Sequence, residues 1–178
     1  MTQINRTDRT LIRKNHIFDL YEDTIKLPDG REKKYDFLFH KGASAVVPVL
    51  PDGRIILVRQ YRNAIDRFTL EIPAGGRNSL DEDFLIAAKR ELEEETGYHS
   101  DELTHLITIK TAVAFCNENI EVYVAKNLQK THQHLDDDEY IDIHVFELEE
   151  LLKKIREGEI QDAKTIAGLS SYALSIQP

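Results

Sequence analysis

Cysteine occurs once in this 178-residue chain, as Cys116. A single thiol excludes an internal disulfide and a zinc site built on thiolates. Positive charge is also in deficit: Lys plus Arg number 23 against 32 Asp plus Glu, a net charge of −9 at pH 7. That balance argues against general nucleic-acid binding, which depends on neutralising phosphates. A small anionic substrate is still compatible with it, provided metal ions and a few arginines act locally. No apolar run approaches the length of a membrane span, and MTQINRTDRT at the start carries no apolar segment. Neither a membrane segment nor a signal peptide is therefore expected, and the cytoplasm is the default location. The remainder, 41% apolar and 31% charged, suits a globular domain with a real core and a small appendage.

Residues 1–40 read as a β-rich N-terminal appendage, and 41–178 as the main domain. In the appendage, Leu11 and Ile12 suggest a short strand. A hairpin is expected from His16–Lys26 and the alternating Tyr35, Phe37 and Phe39, turning at Pro28-Asp29-Gly30. So small a sheet buries little alone and is expected to pack on a neighbour. A second hairpin follows, with ASAVVPVL running out, Pro51-Asp52-Gly53 turning and IILVR returning. Pro48 inside the first strand predicts an edge position or a bulge. Strands are expected at about 103–110 and 119–126, and at YIDIHVF. Polar loop is expected at 127–139, where His132 and His134 are solvated rather than ligands. Two helices close the chain: one over 147–156 ending at Gly158, and one capped by Asp162.

The stretch with chemistry is Gly76–Tyr98, GRNSLDEDFLIAAKRELEEETGY. Phe84, Leu85, Ala88 and Leu92 recur at helical steps and mark one apolar face. Gly97 suits a left-handed stop. Glu91, Glu94 and Glu95 stand at i, i+3 and i+4, so three carboxylates neighbour one another near the helix C-terminus. There the macrodipole adds to their repulsion, and a positive charge between them is required. Oxygen donors at close quarters suit a hard divalent cation, Mg2+ before others, with Mn2+ also accepted. Glu82 reads as the last residue of a Ser79 capping box. Asp81 and Asp83 are alternative caps.

With Gly76, Glu82, Arg90, Glu91, Glu94, Glu95 and Gly97 in register, and Leu92 and Tyr98 at its bulky positions, the stretch resembles a Nudix box. The resemblance implies an α+β fold, an α/β/α sandwich with a mixed sheet between helices. It also implies Mg2+-dependent hydrolysis of a nucleoside diphosphate linked to another group. Metal would fall to Glu91, Glu94 and Glu95 with the Gly75 carbonyl, and Gly76, Glu82, Arg90 and Gly97 would shape the box, with Glu82 paired to Arg90 to hold the loop. Upstream, Arg59-Gln60-Tyr61-Arg62 offers charge for phosphate and a ring for stacking. Followed by LEIPAGG, it is similar to the ADP-ribose pyrophosphatase branch. That branch implies substrate contacts at Arg62, Glu71 and, less directly, Arg59, although Glu71 is equally readable as a buried ion-pair partner. It further implies a substrate-loop glutamate at Glu118 and a catalytic glutamate at Glu139, with Asp138 and Asp137 as alternatives. The first substrate would be ADP-ribose, cleaved to AMP and ribose 5-phosphate, and the assembly a homodimer through the N-terminal strands. Val113 stands where such enzymes often carry proline, which keeps GDP-mannose, other nucleotide sugars and dinucleotides open. A non-catalytic nucleotide sensor is the rival from another class. It is expected to lack box carboxylates, and this chain keeps them all.

Overall fold

The structure, a computed structural model, describes residues 4–135 and 139–177. The chain divides into two compact units: residues 1–42 with Lys110–Asn119, and Ala43–Ile109 with Ile120–Pro178. The sequence placed a boundary at residue 40 but gave no sign that 110–119 clusters with the N-terminal strands. Backbone and amide bonds fasten that stretch. The Leu38 amide donates to Phe115 O at 2.7 Å, and Asn117 exchanges two bonds with the His40 backbone, at 2.7 and 3.0 Å.

In the first unit, β1 (Asn5–Arg13), β2 (Asp19–Lys26) and β3 (Glu32–Phe39) form an antiparallel sheet in that order. The expected hairpin therefore supplies two of the three strands of this sheet. The first strand spans nine residues rather than a short piece at Leu11–Ile12. It escaped notice because Asn5–Arg13 has almost no buried side chain to impose an apolar alternation. Its anchor is polar: Arg9 forks onto Asp23 at 2.6 and 2.7 Å and lies 3.7 Å over the Phe37 ring.

The second unit begins with β4 (Ala43–Pro48), whose six residues are all buried. Alternation assigns them to two cores. Ala43, Ala45 and Val47 join Val122, Leu151, Leu169 and Tyr172, whereas Val46 joins Ala88, Leu92, Tyr123 and Ala125. The helices α1 (Phe84–Thr96), α2 (Leu148–Arg156) and α3 (Ala163–Ser175) thus cover opposite faces, α1 on one and α2 with α3 on the other. The result is an α/β/α sandwich. The sheet between the helices has the order β7 (Ala74–Gly76), β4, β10 (Asn119–Lys126), β9 (Glu102–Lys110). It is mixed, since β4 runs parallel to β10 and antiparallel to β7.

The second hairpin opens out. After the Pro51-Asp52-Gly53 turn, β5 (Ile55–Arg62) leaves β4 beyond a single Val49–Ile55 bridge. It enters an antiparallel sheet of order β12 (Ile141–Phe146), β5, β6 (Arg67–Glu71). Pro48 is not at a sheet edge. It ends β4 beside Ala125, and β7 pairs only as far as Ala45, so the missing N–H falls beyond that ladder. In the expected loop at 127–139, β11 (Gln129–Lys130) pairs with β8 (Tyr98–His99). Asp162 caps α3 by accepting from the Thr165 amide at 2.9 Å, and Gly158 takes φ +76° after α2. Among the described residues, no helix is long and apolar enough to cross a membrane.

Candidate active site

The carboxylate helix α1 starts at Asp83, which accepts from the Leu85 amide at 2.8 Å. A cap of this kind contributes about 1 kcal/mol. Ser79 instead receives the Asp81 and Glu82 amides at 3.2 Å and shapes the loop before the helix. Glu82 is free of capping and takes the Asn78 amide at 2.5 Å and Arg90 Nε at 3.2 Å. Arg90 also donates to Glu91 at 2.5 Å, Glu94 at 2.9 Å and the Gly76 carbonyl at 3.0 Å. It supplies positive charge between Glu91 and Glu94, though not at Glu95, and it ties loop to helix.

Ala88 and Leu92 pack α1 on the sheet, and Glu91 and Glu95, beside them on the same buried side of the helix, lie toward the 74–76 segment. The Ala74 amide donates to Glu95 at 3.0 Å. A Cβ at Gly75 would overlap the Glu91 carboxylate, so only glycine lets that carboxylate lie against the chain there. Both acids are buried, Glu91 9% and Glu95 4% exposed. Burial pushes the Glu95 carboxyl up to about 8, and the Glu91 charge adds to it. Burial pushes Glu91 up to about 7 against the pull of Arg90, with Glu94 and Glu139 reinforcing the rise. Glu139, more than forty residues further along the chain, acts electrostatically on both acids. Asp137 and Asp138 lie outside the described residues.

The route by which Glu139 arrives was not visible in the sequence. The segment 131–134 docks on the C-terminal end of α1 and satisfies its last carbonyls. Thr131 N donates to Gly97 O at 2.7 Å, His134 N to Glu94 O at 3.0 Å and Gln133 Nε2 to Glu95 O at 2.7 Å. Gly97 has φ +66°, and a Cβ there would meet the Gln133 amide nitrogen at 3.0 Å. It therefore both stops the helix and admits the loop. His132 and His134 are exposed.

Arg62 and Glu71 meet on one face of the β5–β6 pair. Arg62 Nε and Nη2 fork onto the two Glu71 oxygens at 2.7 and 2.6 Å. Burial alone would raise the Glu71 carboxyl. The Arg62 bonds, then Lys164 and Thr69, hold it down at about 2. Lys164 on α3 bonds the same carboxylate and was missed, being 93 residues away from it in sequence. Arg59 parts company with Arg62. Three residues apart on a strand, they face opposite sides, and Arg59 lies 3.9 Å over the Phe68 ring and 3.4 Å from Asp142. Glu118 belongs to the first unit. It accepts from Thr111 Oγ1 at 2.7 Å, stands 3.2 Å from His40 Nδ1, and lines a pocket of about 250 Å3 with Phe18, Phe115 and Cys116. Val113, in the same loop, is 81% exposed.

Among the described residues, no three acidic or imidazole groups converge as a ready-made cation cage. The Arg90 guanidinium stands among Glu82, Glu91 and Glu94. The donor chemistry nevertheless fits a hard divalent cation. It is oxygen-only, two carboxylates are buried and pushed toward their neutral form, and Gly75 leaves room for one of them at the backbone.

The family model of the NUDIX domain matches residues 38–169, and the chain belongs to the Nudix family. It is 38% identical over 160 residues to a methanol dehydrogenase activator of Bacillus methanolicus, spanning 89% of this chain and 86% of the relative. It is also 38% identical over 151 residues to an ADP-ribose pyrophosphatase of Bacillus subtilis, spanning 84% and 81%. A crystal structure of an ADP compounds hydrolase shares the fold, with a TM-score of 0.85 at 19% identity, covering 98% of this chain and 94% of that one. Dependence on a divalent metal is general in the family.

Proposed function

We propose that the protein hydrolyses the pyrophosphate bond of a nucleoside diphosphate sugar, with ADP-ribose, giving AMP and ribose 5-phosphate, as the first substrate. The observation that carries this reading is the pair of buried acids Glu91 and Glu95 gathered against the Ala74–Gly75 backbone. Similarity to a relative named ADP-ribose pyrophosphatase supports the substrate class. The chemistry supplied by a divalent cation, Mg2+ or alternatively Mn2+, would be neutralisation of phosphate oxygens and a lowered pKa for the attacking water. Glu91, Glu94 and Glu95 would hold it, together with the Gly75 carbonyl. Glu139 orients the water and accepts its proton. Arg62, kept in a fixed plane by Glu71, donates to a phosphate or to the terminal ribose. Glu118 is assigned a substrate contact, whereas Arg59 is left to its Phe68 and Asp142 partners.

A panel of nucleotide sugars and dinucleotides, incubated with the protein and Mg2+ and resolved by chromatography, tests the reading. AMP and ribose 5-phosphate from ADP-ribose are expected. Preferential release of GMP from GDP-mannose would move the substrate, an outcome that Val113 in place of proline favours. No turnover of any member would overturn hydrolysis in favour of a nucleotide sensor. We further assign the protein to the cytoplasm as a homodimer joined through β1–β3, and a constant monomer mass in light scattering across a concentration series would refute the dimer.

A further inference from the structure

We propose that Lys164 is a positioning residue that holds Arg62 in place through Glu71. The inference rests on the reading of Arg62 as the contact for the substrate's anionic part. Arg62 and Glu71 stand near the ends of neighbouring strands, and their two-point contact fixes the guanidinium plane. The Arg62 side chain remains 39% exposed, so an edge of it faces outward, while Glu71 is 3% exposed.

Lys164 braces that pair. Its Nζ donates to Glu71 Oε2, the same oxygen that takes Arg62 Nη2, and reaches Asp162 Oδ2 at 3.1 Å. Asp162 is held in turn by the first turn of α3, accepting from Thr165 N at 2.9 Å and Thr165 Oγ1 at 2.6 Å. The α3 N-terminus offsets part of the Asp162 charge, and Lys164 is shared between Asp162 and Glu71. Thr165 Oγ1 also accepts from the Ile72 amide at 3.0 Å. The same helical turn therefore grips Glu71 by its side chain and the next residue by its backbone. Two residues further on, Ala74 donates to Glu95. Lys164 thus links a rigid helix through Glu71 to the guanidinium and fixes the plane in which Arg62 presents its exposed edge.

The test compares Lys164→Met, Lys164→Gln and Lys164→Arg, each checked for a cooperative thermal transition. Lys164→Met is expected to raise KM for ADP-ribose about tenfold with kcat nearly unchanged, the pattern of lost ground-state binding. Lys164→Arg should restore KM, and Lys164→Gln should fall between. In an Arg62→Ala background, Lys164→Met should add nothing, because the two act as one unit. A second readout needs no turnover. The Arg62 Nε–H resonance, identified by its loss in Arg62→Ala, should be protected from solvent exchange in wild type and Lys164→Arg and exposed in Lys164→Met. An unchanged resonance in Lys164→Met, or the same KM rise without Arg62, overturns the proposal. If wild type cleaves no nucleotide sugar, the substrate reading falls while the resonance still decides whether Lys164 positions Arg62.

Discussion

Replacing Glu71 with Gln isolates the buried ion cluster. The substitution keeps shape and removes one negative charge from a site where Arg62, Thr69 and Lys164 all donate. Arg62 can rehydrate through its exposed edge. Lys164, 11% exposed, cannot do so without moving, and a buried charge stripped of its partner is costly. The Glu71 carboxyl sits at about 2 rather than 4.5, which at about 1.4 kcal/mol per pKa unit corresponds to roughly 3 kcal/mol of stability at neutral pH. For a chain of this size that is a fall in Tm of about 6–12 °C. The sign fixes the pH window. A depressed carboxyl contributes fully above its unfolded value and loses that contribution as pH falls from 4.5 toward 2. Urea unfolding of wild type and Glu71→Gln from pH 7 to pH 3 should therefore show a stability gap that is constant down to about 4.5 and narrows below it. A Glu71→Gln variant as stable as wild type at pH 7, or a gap that ignores pH, would refute the ion-cluster reasoning.

The raised acids predict the opposite slope. In metal-free protein the fold retains protons on Glu91 and Glu95 that the unfolded chain releases, so stability should fall as pH rises from 4.5 to about 8. Thermal melts with chelator should show this, and Mg2+ at pH 8 should restore Tm in wild type but not in Glu95→Gln. The same variant should lose metal-dependent turnover, and wild-type activity in it would disprove the metal assignment. Gly75→Ala should displace the Glu91 carboxylate, a flexible side-chain end. At least a tenfold rise in the Mg2+ concentration for half-maximal rate is expected, with a stability cost of only about 1–3 kcal/mol. Isothermal titration with Mg2+ showing unchanged affinity would remove Gly75 from the site.

What could be read from the sequence was local. The apolar steps of Phe84, Leu85, Ala88 and Leu92, the i, i+3, i+4 carboxylates and the stop at Gly97 all lie within one helix, and neighbours along a helix are neighbours in space. Pairing of Glu82 with Arg90, eight residues apart, was still within reach of a motif. The split of β4 and β5 into different sheets was not, because a PDG turn looks the same whether its strands stay paired or part. Lys164 and the 131–134 loop were hidden for the same reason. Their partners are separated by long stretches of chain, and a polar side chain carries no periodic mark of the carboxylate or carbonyl it will meet. Pro48 misled because strand-edge reasoning concerns a strand's interior, whereas here the proline is its last residue.

The six buried residues of β4 have a consequence for how such a protein can diversify. A strand with solvent on one side has positions at which sequence can drift without consulting the core. From Ala43 to Pro48 there are none, because successive side chains answer to α1 on one side and to α2 with α3 on the other. Any enlargement at Val46 or Val47 has to be matched by a reduction in a helix packed on it. Freedom to vary is therefore left to elements that such packing does not bind, among them the exposed loop bearing Val113.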